Sequence, residues 1–380
     1  MIYPPVNKHS IDKILVLVAL VVLLVAVIFI PKDAKGIFNL GATKLILALP
    51  PGGIINKEDF DELTKEFEAE NHGIAIAIKE YASENADIVI FDPLSRSSPL
   101  INGLVENEKL LIGGINALFY NISRLQELGF DRPPKTWDDF LSVCRKIKHS
   151  KANKDSPRYP FSFSENIFRS VFPWFYQTGI ASANPEEAPG IDWTSRGSVE
   201  TLVFLNTLCE EKIVDPASLD RSEDELIKDF IAGKSVMMIS SIFNIKKIEE
   251  ANPEFRFNIT TIPAPSHYKG KAVFNLSVLD IAVAKDSRHK EEAARFLDFI
   301  DKKSAGIAAS TGMIAGNSRE NLKRTPILEK AVDLYEASSV IDESKNFDNP
   351  HIVDQRLKAE LKKMMNGAQT PQQSAAALKS

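Results

Sequence analysis

The chain has 380 residues, 44% apolar and 26% charged, with 46 basic and 51 acidic side chains for a net charge of -5. That balance describes a globular protein, and no basic cluster interleaved with aromatics points to nucleic acid. The six His, at 9, 72, 149, 267, 289 and 351, include no pair at metal-ligand spacing on a helix, and no Gly-x-Ser-x-Gly elbow occurs. An enzyme, a metal site and a cofactor therefore have no sequence support.

Residues 14 to 30 carry no polar side chain and would span about 25 Å as a helix, enough to cross a hydrocarbon core. Lys8 and Lys13 precede the run, which places residues 1–13 in the cytoplasm and residues 31 onward outside. Two outcomes stay open: a signal cleaved near Ala34-Lys35-Gly36, or an uncleaved single-pass anchor, which the unbroken run favours. Residues 31–43 read as a linker.

From Lys44 onward the chain is long enough for one two-lobed domain or two ordinary ones. Leu45 to Leu49 is a continuous apolar run of the kind used by strands buried on both faces. Asn56 is placed to cap a helix carrying Phe60, Leu63 and Phe67, which Asn71-His72-Gly73 ends. Strands at 74–78 and 87–92 complete a parallel α/β unit, in which ligands sit beyond the carboxyl ends of strands. Gly52-Gly53 and Asp92-Pro93 fall there. The Pro-Pro-Gly-Gly turn at 50–53 lacks the Lys-Ser/Thr of a nucleotide phosphate loop.

Residues 115 to 148 are the most informative stretch. Ala117 to Tyr120 reads as a short buried strand, with Asn121 capping a helix of Ile122, Leu125 and Leu128 that stops at Gly129. Pro133-Pro134 holds the chain extended, and Thr136 starts a helix with Asp139 three residues on. Trp137, Phe140, Leu141, Cys144 and Ile147 are its predicted apolar stripe. Cys144 and Cys209 both lie on apolar helix faces and read as core residues, a disulfide between them requiring those helices to touch.

The run Ala117-Leu118-Phe119-Tyr120-Asn121, followed by Pro133-Pro134-Lys135-Thr136-Trp137, resembles the extracellular solute-binding proteins of ABC importers, in the large carbohydrate-type class. Weaker similarity extends over residues 44 to 380. The resemblance implies an α/β periplasmic-binding-protein type II fold with a ligand cleft between two lobes, here preceded by one N-terminal transmembrane helix. It places residues 44–117 and 272–311 in lobe 1, and 118–271 and 312–380 in lobe 2. Two segments expected to be helical in lobe 1, between Tyr81 and Ala86 and between Gly103 and Leu110, look missing, so that lobe is compressed.

The implied hinge includes Tyr120, Asn121, Pro263 of Pro263-Ala264-Pro265, and Gly312. The implied ligand-binding residues are Asp92, Trp174, Trp193, Phe243, Asn244, Asn275 and Met313. Nine aromatics fall between 159 and 193, and flat rings suit the C–H faces of sugars; most belong to the core, with Trp174 and then Trp193 the first candidates for the cleft. Phe230, Gly233-Lys234 and Met237 match a family element whose following aromatic lines the site, and Phe243-Asn244 occupies that place. The implied partners are a carbohydrate or polyol-like solute and a membrane-embedded permease. A protein that keeps the fold for interaction or sensing is the alternative, expected if those rings are buried.

Overall fold

The computed structural model describes residues 42–50, 55–80, 85–92, 103–150, 159–163, 167–180, 192–311, 313–315, 325–341 and 350–379. Residues 14–30, the Gly52-Gly53 turn and Gly312 lie outside them. Among the described residues no helix is long and apolar enough to cross a membrane.

The chain opens with β1 (Thr43–Leu49), α1 (Glu58–Glu70), β2 (Ile74–Glu80) and β3 (Ile88–Phe91). β1 pairs in parallel with both β2 and β3, the α/β unit expected from the apolar runs. Phe60 and Phe67 are buried as their spacing predicts. Asn56 is not the cap: Lys57 holds that position, and the Asn56 N–H instead donates to Asp59 Oδ2. The acidic first turn reaches back to a free amide, so a side-chain cap from Asn56 is replaced by one from the helix.

β4 (Val105–Asn121) corrects the short strand predicted at 117–120: it runs for 17 residues and is buried without break from Leu111 to Asn121. α2 (Ile122–Glu127) follows, with Asn121 Oδ1 accepting from the Arg124 N–H at 3.0 Å and Gly129 turning the chain at φ +78. α3 (Trp137–His149) is capped by Thr136 Oγ1, which accepts from the Asp139 N–H at 3.1 Å. Its buried stripe contains Val143 where Leu141 was expected, because Val143 lies closer to the axis set by Phe140, Cys144 and Ile147. β5 (Tyr159–Phe163), the aromatic helix α4 (Ile167–Gln177), α5 (Arg196–Glu210) and α6 (Glu223–Ile231) come next. α6 begins with a full capping box between Ser222 and Glu225.

The remainder comprises β6 (Ser235–Ser241), α7 (Asn244–Ala251), β7 (Phe257–Thr260), β8 (Val273–Ala284) and α8 (Lys290–Thr311). β9 (Ile314–Ala315), α9 (Pro326–Ala337), β10 (Ser339–Ile341), α10 (Pro350–Met365) and α11 (Pro371–Lys379) close the chain. Strands run in the order β2-β1-β3-β8-β4-β6-β5, with β7 and β9 on β4 and β10 on β8.

Two hydrophobic cores divide this sheet. One gathers Leu45, Leu47, Phe60, Phe67, Ile88, Ile90, Ile112, Ile281 and Phe296, and defines the first lobe. The other gathers Ile115, Leu118, Phe140, Phe161, Phe172, Trp174, Phe230, Met238 and Phe274, and defines the second. β4 and β8 cross between them. Along β4, residues up to Ile115 pair with β8, and Ile112 and Gly113 also with β9, whereas Asn116 onward pair with β6. β8 begins against β10 at Val273 and ends against β3 at Val283. Both cysteines are free, so no disulfide ties α3 to α5.

Candidate functional site

The junction of the lobes is built where β4 and β8 cross. Asn116 and Ser277 are almost wholly buried there, and the Ser277 hydroxyl donates to Asn116 Oδ1 at 2.8 Å. A buried polar pair satisfied in this way fixes the register of the two crossing strands. Asp92 follows the carboxyl end of β3, and its carboxylate lies 2.8 Å from Nη2 of Arg169 on α4. This ion pair spans the lobes, with the side chains 15% and 30% exposed for Arg169 and Asp92.

Phe243, in the turn between β6 and α7, is half-buried and packs against both cores. Asn244 beside it donates through Nδ2 to Glu223 Oε1 and to Ser240 Oγ, each at 2.9 Å. Ser240 also hydrogen-bonds Glu223. The amide of Asn244 therefore fastens α7 to the start of α6.

The remaining expected ligand residues are placed in the cores. Trp174 has no exposed surface, and its Nε1–H donates to the Pro263 carbonyl at 2.9 Å. The indole stands edge-on to Phe204, with centroids 5.2 Å apart. Trp193 is buried edge-on to Phe172 and Phe175, with centroids at 6.3 and 5.4 Å. Helical periodicity turns the rings of α4 toward β5, α3 and α5, so they fill the second lobe instead of lining a cleft. Asn275 is fully buried, with Nδ2 donating to the Phe168 carbonyl at 3.0 Å and Oδ1 lacking a partner among the described residues. Met313 is buried in the first-lobe core.

Of the expected hinge residues, Tyr120 and Asn121 sit at the second-lobe end of β4. Burial pushes the Tyr120 phenol upward, and Lys330, itself held below its ordinary value by burial, lies 6.0 Å from that ring. The Pro263 carbonyl is used by Trp174.

Sequence reasoning did not single out Arg169, Glu223, Gly114 or Asn116. One signal for Gly114 was available: a glycine inside a buried strand marks a close approach by another group. Arg169 had none, because nothing in its neighbours reveals that α4 points it at Asp92. Among the described residues, no group of three His, Cys, Asp or Glu is arranged to hold a metal ion.

Comparison with known proteins bears on this architecture. A binding protein of Brucella abortus is 24% identical over 212 residues, covering 54% of this chain and 49% of its own length. The melibiose/raffinose/stachyose-binding protein MelE of Bacillus subtilis is 22% identical over 250 residues, covering 62% and 58%. The chain thus spans about half the length of such relatives. An ABC substrate-binding protein from Listeria monocytogenes in complex with cycloalternan superposes with a TM-score of 0.71 at 17% identity, covering 89% of this chain and 97% of that one. Maltose-bound MalE3 of T. maritima gives 0.70 at 14% identity, covering 89% and 98%. The two-lobed α/β fold is common to all of these structures. The sequence pattern of the bacterial extracellular solute-binding proteins matches residues 55–306, and the chain belongs to that family.

Proposed function

We propose that this chain captures a carbohydrate or polyol-like solute between its lobes and delivers it to the permease of an ABC importer. The observation that carries the reading is the family pattern over residues 55–306, on a fold whose two cores are joined by crossing strands. Such a joint lets solute shift the balance between open and closed lobes through its greater affinity for the closed form. The sugars named for MelE, and those bound in the Listeria and T. maritima structures, support the choice of solute class. Asp92 and Phe243 are the expected ligand residues that stand between the lobes, and Arg169 joins them. The lobes are taken as 44–117 with 272–311 and 118–271 with 312–380, and at the crossings the cores depart from these bounds: Ile115 and Phe274 pack in the second-lobe core and Met313 in the first.

Residues 14–30 would tether the protein, with the lobes on the outer face of the cytoplasmic membrane. A tether raises the concentration of the binding protein at its permease without any new contact.

The test is thermal unfolding of the full chain in mild detergent against a panel of mono- and oligosaccharides, polyols and sugar phosphates. A ligand at a hundredfold excess over its dissociation constant stabilises the folded state by about 2.7 kcal/mol, a rise of several degrees. A rise with one sugar class, diminished in Asp92→Asn, supports the reading; no rise across the panel from folded protein removes it.

The burial of Trp174 and Trp193 favours a second reading, in which the fold is retained for docking or sensing at a membrane complex and transports nothing. A null panel would move the weight there.

A further inference from the structure

We infer that Phe243 is a positioning residue: its ring, seated in the space left by Gly114, sets the angle between the lobes and through it the affinity of the cleft. The affinity part rests on the reading that the cleft takes a solute; the angle part does not.

Gly114 lies on β4 where the strand leaves one core for the other. A Cβ built on it would fall 2.5 Å from Phe243 Cε1, 3.0 Å from Phe243 Cδ1 and 2.9 Å from Ile242 Cγ1. Side chains on successive strand residues point to opposite faces, and the neighbouring Gly113 meets only ordinary contacts, the nearest being Val278 Cγ1 at 3.6 Å. One glycine of the pair therefore holds a place for a ring, and the other does not.

The ring has little freedom to leave that place. The Ile242 N–H donates to the Ile115 carbonyl at 3.0 Å, which pins the turn to the crossing strand. The Phe243 N–H donates to Ser241 Oγ at 3.3 Å. Asn244 is held by Glu223 and Ser240. The turn is thus built into the second lobe, while its ring also packs on the first-lobe core. A rotation of one lobe on the other slides this ring over β4, so added bulk at Gly114 must move the lobes or expel the ring.

The experiment places spin labels on Glu62→Cys in α1 and Ser142→Cys in α3, both exposed, and measures the interlobe distance distribution by pulsed electron resonance in the full chain. Solute affinity is measured by titration with the sugar that gives the thermal shift. Gly114→Ala is expected to shift the distance distribution and to weaken binding roughly tenfold, within the range of overpacked sites; Gly113→Ala is expected to change neither. In the Phe243→Ala background, Gly114→Ala should lose its effect, since no ring remains to clash. Phe243→Ala alone should broaden the distribution, which keeps the angle testable if Gly114→Ala does not fold. Unchanged distances in both Gly114→Ala and Phe243→Ala overturn the inference, as does an equal effect of Gly114→Ala with and without the ring. A loss of melting temperature without a change in distance does the same, because it assigns Phe243 to packing alone. If no sugar binds the parent protein, the transport reading fails, and the distances still decide the angle.

Discussion

Arg169 and Asp92 form an ion pair that joins helix α4 of the second lobe to the end of strand β3 in the first, with Nη2 at 2.9 and 2.8 Å from the two carboxylate oxygens. Partial burial lifts such a pair above most surface ion pairs, and exposure of the carboxylate to solvent limits it to about 1 kcal/mol. A double-mutant cycle of Asp92→Asn and Arg169→Gln, followed by urea unfolding, should return a coupling of about that size. The coupling should shrink at high salt. Additive single effects would show that the pair contributes nothing to holding the lobes together.

Trp174 tests whether the aromatic helix is packing or recognition. Trp174→Ala removes a fully buried ring and leaves the Pro263 carbonyl without its donor, for a loss of about 3–5 kcal/mol in denaturant unfolding. Trp174→Phe keeps most of the volume and should remain folded with solute affinity unchanged. A Trp174→Phe variant of full stability whose affinity falls tenfold would instead put this ring in contact with the ligand.

The two thiols give a prediction in pH. Burial pushes Cys144 well above its ordinary value, and burial with the nearby Glu210 raises Cys209 to about 12. Both stay protonated in the folded protein where an unfolded thiol has begun to ionise, near the reference value of 9.0. Stability from this source is complete below pH 9 and falls as pH rises toward 12, because the unfolded chain releases protons that the folded chain retains. Urea midpoints should therefore decline less steeply between pH 8 and the high-pH end in Cys209→Ser than in the parent. Alkylation at pH 8 should be slow until the protein is unfolded. Rapid native labelling of Cys209 would contradict its half-buried placement.

Helix starts are testable more cheaply. Thr136→Ala removes the oxygen that accepts from the Asp139 N–H, and should cost about 1 kcal/mol in the urea midpoint. Thr136→Ser should cost much less, and equal losses would mean that the threonine methyl, not the cap, is what matters.

Local signals made much of the fold legible. Asn121, Gly129 and Thr136 mark helix ends by chemistry that acts within a few residues, and each performs the role its type and position suggest. The apolar runs at Leu45 and Ile74 pair as parallel strands for the same reason. The length of β4 was not legible, since Gly113-Gly114 and the charged stretch Glu106 to Lys109 break any strand pattern. A register shift against β8 between Glu106 and Lys109, and a positive φ of 55° at Asn107, accommodate that stretch. The site was harder still. Composition places rings in the second lobe, but which face of α4 meets a cleft depends on how α3, α5 and β5 pack around it. Arg169 and Gly114 matter only through residues far from them in the chain.

The crossing of β8 has a consequence for how the polypeptide acquires its structure. Ile88 pairs with Val283, and Lys109 with Ile281, so the first-lobe sheet cannot close until β8 has been synthesised. The second-lobe pairings of β4 with β6 and β7 are closer in sequence and become available earlier on the ribosome. Loop-closure entropy favours the shorter separations, so the second lobe should nucleate first and template β4 for the first. Until then β1, β2 and β3 form a sheet fragment with an uncovered edge on β3, the interval in which a newly made chain of this kind is most exposed to aggregation and most in need of a chaperone.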